Sequence, residues 1–112
     1  MNWYRLYINS VGGGTVCEGP LEFKTEDEAM NEARVYAIED YESFEGYHGI
    51  PDIGDVMEDK EGYNLGQDAT EDDCWEAYYE QRESWIDYWV EKASGPDDID
   101  EDYQYGERYD KL

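Results

Sequence analysis

The sequence predicts an α+β fold in which a small antiparallel sheet of two to three strands packs with two helices, in the order β-β-α-α-β. Three observations predict it. Residues 2–9 alternate, with Tyr4, Leu6 and Ile8 on one face, as a half-buried strand requires. Thr25-Glu26-Asp27-Glu28 and Thr70-Glu71-Asp72-Asp73 are helix-start patterns, and apolar residues follow each at helical spacing. The third is the supply of rings: 12 Tyr, 4 Trp and 2 Phe. Each large ring buries roughly 150–250 Å², which provides a core for so polar a chain.

Taken in order, Asn2 to Asn9 is the first strand, and Val11-Gly12-Gly13-Gly14 is a turn or bulged loop. Thr15 to Phe23 is a second strand, broken near Gly19-Pro20. The first helix runs over 26–44 with Met30, Ala33, Ala37, Tyr41 and Phe44 as its apolar stripe, and Gly46 ends it. Residues 45–69 read as irregular, punctuated by Gly46, Gly49, Pro51, Gly54, Gly62 and Gly66. The second helix starts at 71 and carries Trp75, Tyr78, Tyr79 and Arg82 on one face. Residues 84–92 allow two readings. Trp85, Ile86 and Trp89 continue a helical stripe, whereas Ile86, Tyr88 and Val90 alternate as a strand. The strand is preferred, because a two-stranded hairpin alone is marginal and a third strand completes the sheet. Residues 1–94 then form a single acidic domain, and 95–112 an acidic, tyrosine-containing tail, partly disordered.

At 112 residues the chain is one domain. Charge dominates it: 31 Asp and Glu against 8 Lys and Arg give a formal net charge of −23. With a mean hydropathy of −1.01, that balance by itself is the signature of disorder. The aromatic content argues for a folded chain instead. The N-terminus has no basic segment followed by a long apolar one, and no run is long enough to span a bilayer. The expectation is a cytoplasmic protein with no membrane contact. Cys17 and Cys74 form no CxxC; they can pair, but two buried thiols are the better expectation in the cytosol.

Little in the sequence announces catalysis, and no enzyme activity or cofactor is expected. His48 is the only histidine and lies in a glycine-flanked loop, so a nucleophile–base pair has no evident base. Gly12-Gly13-Gly14 lacks the Lys-Ser/Thr of a phosphate loop and the spaced glycines of a dinucleotide fold. Asp98, Asp100 and Asp102 match the opening of a calcium loop, but Tyr103 stands where Gly is needed and Tyr109 where Glu is needed.

The acidic faces are the informative feature. Glu28, Glu32, Glu39 and Glu42 share the side of the first helix opposite its apolar stripe. Glu76, Glu80 and Glu83 repeat at i, i+4, i+7 in the second. Like charges at this spacing destabilise a helix by roughly 0.2–0.5 kcal/mol per pair, a cost that interleaved Lys and Arg normally remove. Carboxylates four residues apart stand roughly 6 Å apart along a helix axis, and phosphates on one DNA strand advance about 3.4 Å per step. Ordered carboxylate rows therefore present themselves to a DNA-binding cleft much as a duplex does.

A short, single-domain, aromatic-rich and extremely acidic chain with carboxylate rows resembles the DNA-mimic inhibitors of bacteriophages and mobile elements: anti-restriction proteins, anti-CRISPR proteins and uracil-DNA glycosylase inhibitors. The resemblance is one of class and carries no family motif. It implies a basic, nucleic-acid-binding host protein as partner (a restriction, CRISPR or repair enzyme) and no direct binding to nucleic acid. The seven glutamates named above are the expected contacts; the oligomeric state, a dimer included, stays open. Other readings compete. Adaptation to high salt predicts small core residues, which 12 Tyr and 4 Trp fit poorly. An acidic scaffold for a basic protein shares the electrostatics without DNA-like geometry. An inhibitor could also plug a protein site with Trp85, Tyr88 and Trp89 while charge only steers association.

Overall fold

The computed structural model describes residues 1–47 and 49–100. The readings of His48 as a loop residue and of 101–112 as an acidic tail lie outside the described residues. Three strands form one antiparallel sheet: β1 (Asn2–Asn9), β2 (Thr15–Phe23) and β3 (Asp87–Ala93), in the order β2-β1-β3. The α+β reading holds, with the third strand where alternation places it.

Register explains the two faces. Leu6 lies opposite Glu18 on β2 and Val90 on β3; Ile8 lies opposite Val16 and Tyr88. Residues paired across strands share a face, so Tyr4, Leu6, Ile8, Val16, Tyr88 and Val90 point one way. Helix α1 (Glu26–Phe44) covers that face with Ala29, Ala33 and Ala37, whose small side chains let the helix approach the sheet closely. Met30 and Phe44, expected in the stripe, are half-buried, and Ala29 is fully buried in their place. The predicted break in β2 is a register shift opposite Tyr4 and Leu6. Gly19 sits there at φ +108°, and a Cβ would meet the Tyr4 carbonyl oxygen at 2.9 Å, so only glycine fits.

The β1–β2 turn is tied to α1 by Asp40, which is only 2% exposed. Its carboxylate accepts from the Ser10 hydroxyl at 2.7 Å and from the Val11 N–H at 2.8 Å. The Phe44 ring lies where a Cβ on Gly12 would go, 2.5 Å away, and locks the same turn from the other side.

A second core lies beyond the sheet. Residues 45–69 are not irregular throughout: they contain α2 (Ile53–Glu58) and a single 3₁₀ turn at Lys60–Tyr63. The signal was present as Asp52 and Asp55, which form a reciprocal capping box, and was masked by the neighbouring Pro51 and Gly54. Helix α3 (Glu71–Trp85) follows, capped by Thr70 and Asp73. Tyr41, Ile50, Val56, Cys74 and Tyr78 pack together between α1, α2 and α3. Cys17 and Cys74 are both buried free thiols. Cys17 lies across from Tyr7 in the sheet, and Cys74 belongs to the core between the helices.

After β3 the chain returns across the outer face of the sheet. Asp98 meets Arg5 at 2.9 Å, and Asp100 accepts from the Tyr7 hydroxyl at 2.7 Å. The first residues of the segment read as a tail are thus held to β1. Among the described residues no helix is long and apolar enough to cross a membrane.

Candidate partner-binding surface

Each acidic row owes its direction to the core on the other side of its helix. Side chains advance by about 100° per residue in a helix. In α1, Ala29, Ala33, Ala37 and Tyr41 are buried, which turns Glu28, Glu32, Glu39 and Glu42 away from the sheet. Glu28, Glu39 and Glu42 are exposed and Glu32 is half-buried. Val35 lies among them, exposed at 44%. In α3, Cys74 and Tyr78 are buried, so Glu76, Glu80 and Glu83 face outward and are exposed. Both helices start with three acidic residues in the first turn, where the helix dipole favours negative charge.

Both rows begin from well-capped helices. The Thr25 hydroxyl accepts from the Glu28 N–H at 3.2 Å. The returning bond expected from Glu28 goes one residue further, to the Lys24 N–H at 3.2 Å. At Thr70 the reciprocal box is complete, with Asp73 accepting from the Thr70 N–H at 3.1 Å. These caps stabilise the helices against the repulsion along their outer faces, each contributing about 1 kcal/mol.

Cations do little to neutralise the rows. The Arg34 guanidinium pairs with Glu83 and joins the two helices; among the described residues no other glutamate of the seven forms an ion pair. Three other cations work elsewhere. Arg5 holds Glu91 at 3.3 Å and Asp98 at 2.9 Å on the outer face of the sheet. The Lys60 ammonium donates to the Gln67 and Ala69 carbonyls at 3.2 and 3.0 Å. The Arg82 guanidinium lies 5.0 Å over the Tyr79 ring, and its buried Nε finds no acceptor. Six glutamates are left without an ion-pair partner among the described residues, on two capped helices.

Other carboxylates, which sequence reasoning did not separate from the rest, serve the fold. Asp40 holds a turn, and Glu45 accepts from the Tyr78 hydroxyl. Asp98 accepts from the Ser94 N–H at 2.9 Å, and that bond, followed by the Arg5 charge, keeps its pKa below the usual carboxylate value. Only Asp40 lay where a signal existed, as an acid one residue before Tyr41 in the apolar stripe.

The aromatic trio read as a possible plug does not form one patch. Trp85, at the end of α3, is 39% exposed. Tyr88 packs inward beside Ala29, Ala33 and Ala37. Trp89 faces the opposite side of the sheet and stacks on Tyr7, with ring centroids 5.2 Å apart and planes within 2°. Tyr79, 46% exposed, is the other large ring presented by α3. Among the described residues no group of three or more His, Cys, Asp or Glu is arranged to hold a metal ion.

Comparison with protein-family models, with curated proteins and with solved structures finds no match to this chain.

Proposed function

We propose that this protein is an acidic inhibitor that occupies the basic, nucleic-acid-binding surface of a host defence or DNA-processing protein and blocks it by mimicking the charge of DNA. The observation that carries this reading is the outward placement of Glu28, Glu32, Glu39, Glu42, Glu76 and Glu80 on two capped helices without ion-pair partners among the described residues. A chain that holds such rows in fixed positions bears their mutual repulsion in the free state. A partner's Lys and Arg relieve it on binding. Association is then steered, fast at low salt and weakened as salt rises.

Affinity capture from bacterial lysate, at low and high salt and with or without duplex DNA, tests it. The expected result is one nucleic-acid-binding protein, displaced both by salt and by DNA. A variant carrying Glu28→Lys, Glu32→Lys, Glu39→Lys and Glu42→Lys should keep its circular dichroism spectrum and lose the captured protein. Undiminished capture by that variant overturns the mimicry. Capture that resists salt and DNA but fails in Tyr79→Ala or Trp85→Ala favours the second reading, in which these exposed rings supply the contact.

A further inference from the structure

We propose that the groove between α1 and β2 receives a single basic side chain, arginine or lysine, of the protein partner. This deepens the reading above and rests on it. Helix α1 lies mainly over β1 and β3 and leaves the inner face of β2 partly uncovered. The result is an open groove of about 270 Å³. Its apolar walls come from Leu6, Ile8, Val16 and Tyr36, and its carboxylates from Glu18, Glu39 and Asp40.

That combination selects its occupant. Lys and Arg bury an aliphatic stem against apolar surface and keep the charged head among acceptors, and charge-assisted hydrogen bonds to carboxylates are the strong kind. A neutral apolar ligand would cover the charged rim of the groove without offering it a donor. An anion would meet three negative groups. Asp40 adds field more than contacts, since its oxygens already hold Ser10 and Val11. Among the described residues no Lys or Arg lines the groove. Glu39 belongs both to the groove and to the outer row of α1, so a basic segment tracking the row passes the mouth of the groove. The row then supplies attraction, and the groove supplies register.

The test is an NMR titration of the full chain with the peptide Ac-Gly-Arg-Gly-NH₂ and with its norleucine counterpart. The expected result is saturable shifts concentrated at Leu6, Ile8, Val16 and Ser43 with the arginine peptide, and none with norleucine. Ser43 is exposed at the groove's rim. Ser43→Trp should fill the mouth while keeping every carboxylate, and weaken peptide binding about tenfold, the equivalent of 1.4 kcal/mol. Glu18→Gln should weaken it as well. Glu28→Lys with Glu42→Lys, outside the groove, should leave the groove shifts in place.

Shifts spread evenly along both helices, or unchanged in Ser43→Trp, overturn the proposal. So do contacts to the groove from Arg108 or Lys111 of the same chain, or from a second copy at high protein concentration. The two readings fail separately. A groove that binds the arginine peptide in a protein that captures no DNA-displaceable partner breaks the mimicry alone. A captured partner with a silent groove breaks this inference alone.

Discussion

Around the sheet, Tyr4, Leu6, Ala29 and Ala33 make one core, and Ile8, Val16 and Ala37 extend it. Between α1, α2 and α3 a second is made by Tyr41, Ile50, Val56, Cys74 and Tyr78. The first is largely aliphatic, laid out by period-2 strands against a helix stripe. The second rests on tyrosines whose hydroxyls need acceptors: Tyr41 donates to the Pro51 carbonyl and Tyr78 to Glu45. Helix α1 runs through both. The inner face of the sheet thus depends on apolar burial and strand pairing, while the helical half also depends on polar partners brought in by a loop. Each half carries one acidic row on its outside, so both cores must hold against like-charge repulsion.

The largest expected effect tests whether the halves are one cooperative unit. Leu6 is 2% exposed, and Leu6→Ala should cost about 2–5 kcal/mol through lost transfer energy and a cavity. Because α1 is shared, urea unfolding followed by tryptophan fluorescence and by far-ultraviolet circular dichroism should shift together. Separated transitions would show two independent units instead.

Next in size is the hydroxyl of Tyr41. Tyr41→Phe leaves the Pro51 carbonyl without its donor in a buried setting, a loss of about 1–3 kcal/mol. Tyr78→Phe should cost less, because Glu45 is half-exposed and water can replace the phenol there. Equal losses measured by urea titration would remove the distinction between a buried carbonyl and a wetted carboxylate.

The same contrast accounts for what the sequence made legible. The strands over 2–9 and 15–23, the helix over 26–44 and the start of the helix at 71 follow from alternation, caps and stripes, which are local signals. Residues 84–92 are ambiguous in sequence because Trp85 ends a helix while Tyr88 begins facing a sheet, and only pairing with β1 decides between them. Helix α2 was missed because its six residues are too few to show a period and depend on Val56 meeting Cys74 and Tyr78. The rows were readable since helix periodicity places them. What the sequence could not separate were the carboxylates that hold the fold from those left facing solvent: Asp40, Glu45, Asp98 and Asp100 differ from Glu39 or Glu80 only in what lies opposite them in space.

Alkaline pH should sharpen the contrast further. Burial first, then the nearby Glu45 charge, push the Tyr41 phenol from 10.0 up to about 12. Burial and the bond to Glu45 push Tyr78 higher still. The fold favours the neutral phenols, so this stability is fully present below pH 10 and is lost as pH rises through about 12. Amide signals of residues around Tyr41, Val56 and Tyr78 should disappear before those of the inner sheet in an NMR pH series. Simultaneous loss would mean that the helical half does not open ahead of the sheet, where burial and the bond to Asp100 raise the Tyr7 phenol as well.

The smallest expected effect concerns the outer face of the sheet. Residues 94–100 cross it, held to β1 by Asp98 on Arg5 and Asp100 on Tyr7, while Asp98 also accepts from the Ser94 N–H within the segment. Asp98 is exposed enough that water takes over its role when it is removed, and Arg5 keeps Glu91 at 3.3 Å as a second partner. Asp98→Ala should therefore leave the unfolding midpoint unchanged while the Ser94 amide exchanges faster with solvent. Trp89 should stay stacked on Tyr7, since β3 is paired to β1 along its whole length. A drop in midpoint comparable to that of Tyr41→Phe would make the returning segment part of the cooperative core. The sheet half would then depend on polar partners as much as the helical half does.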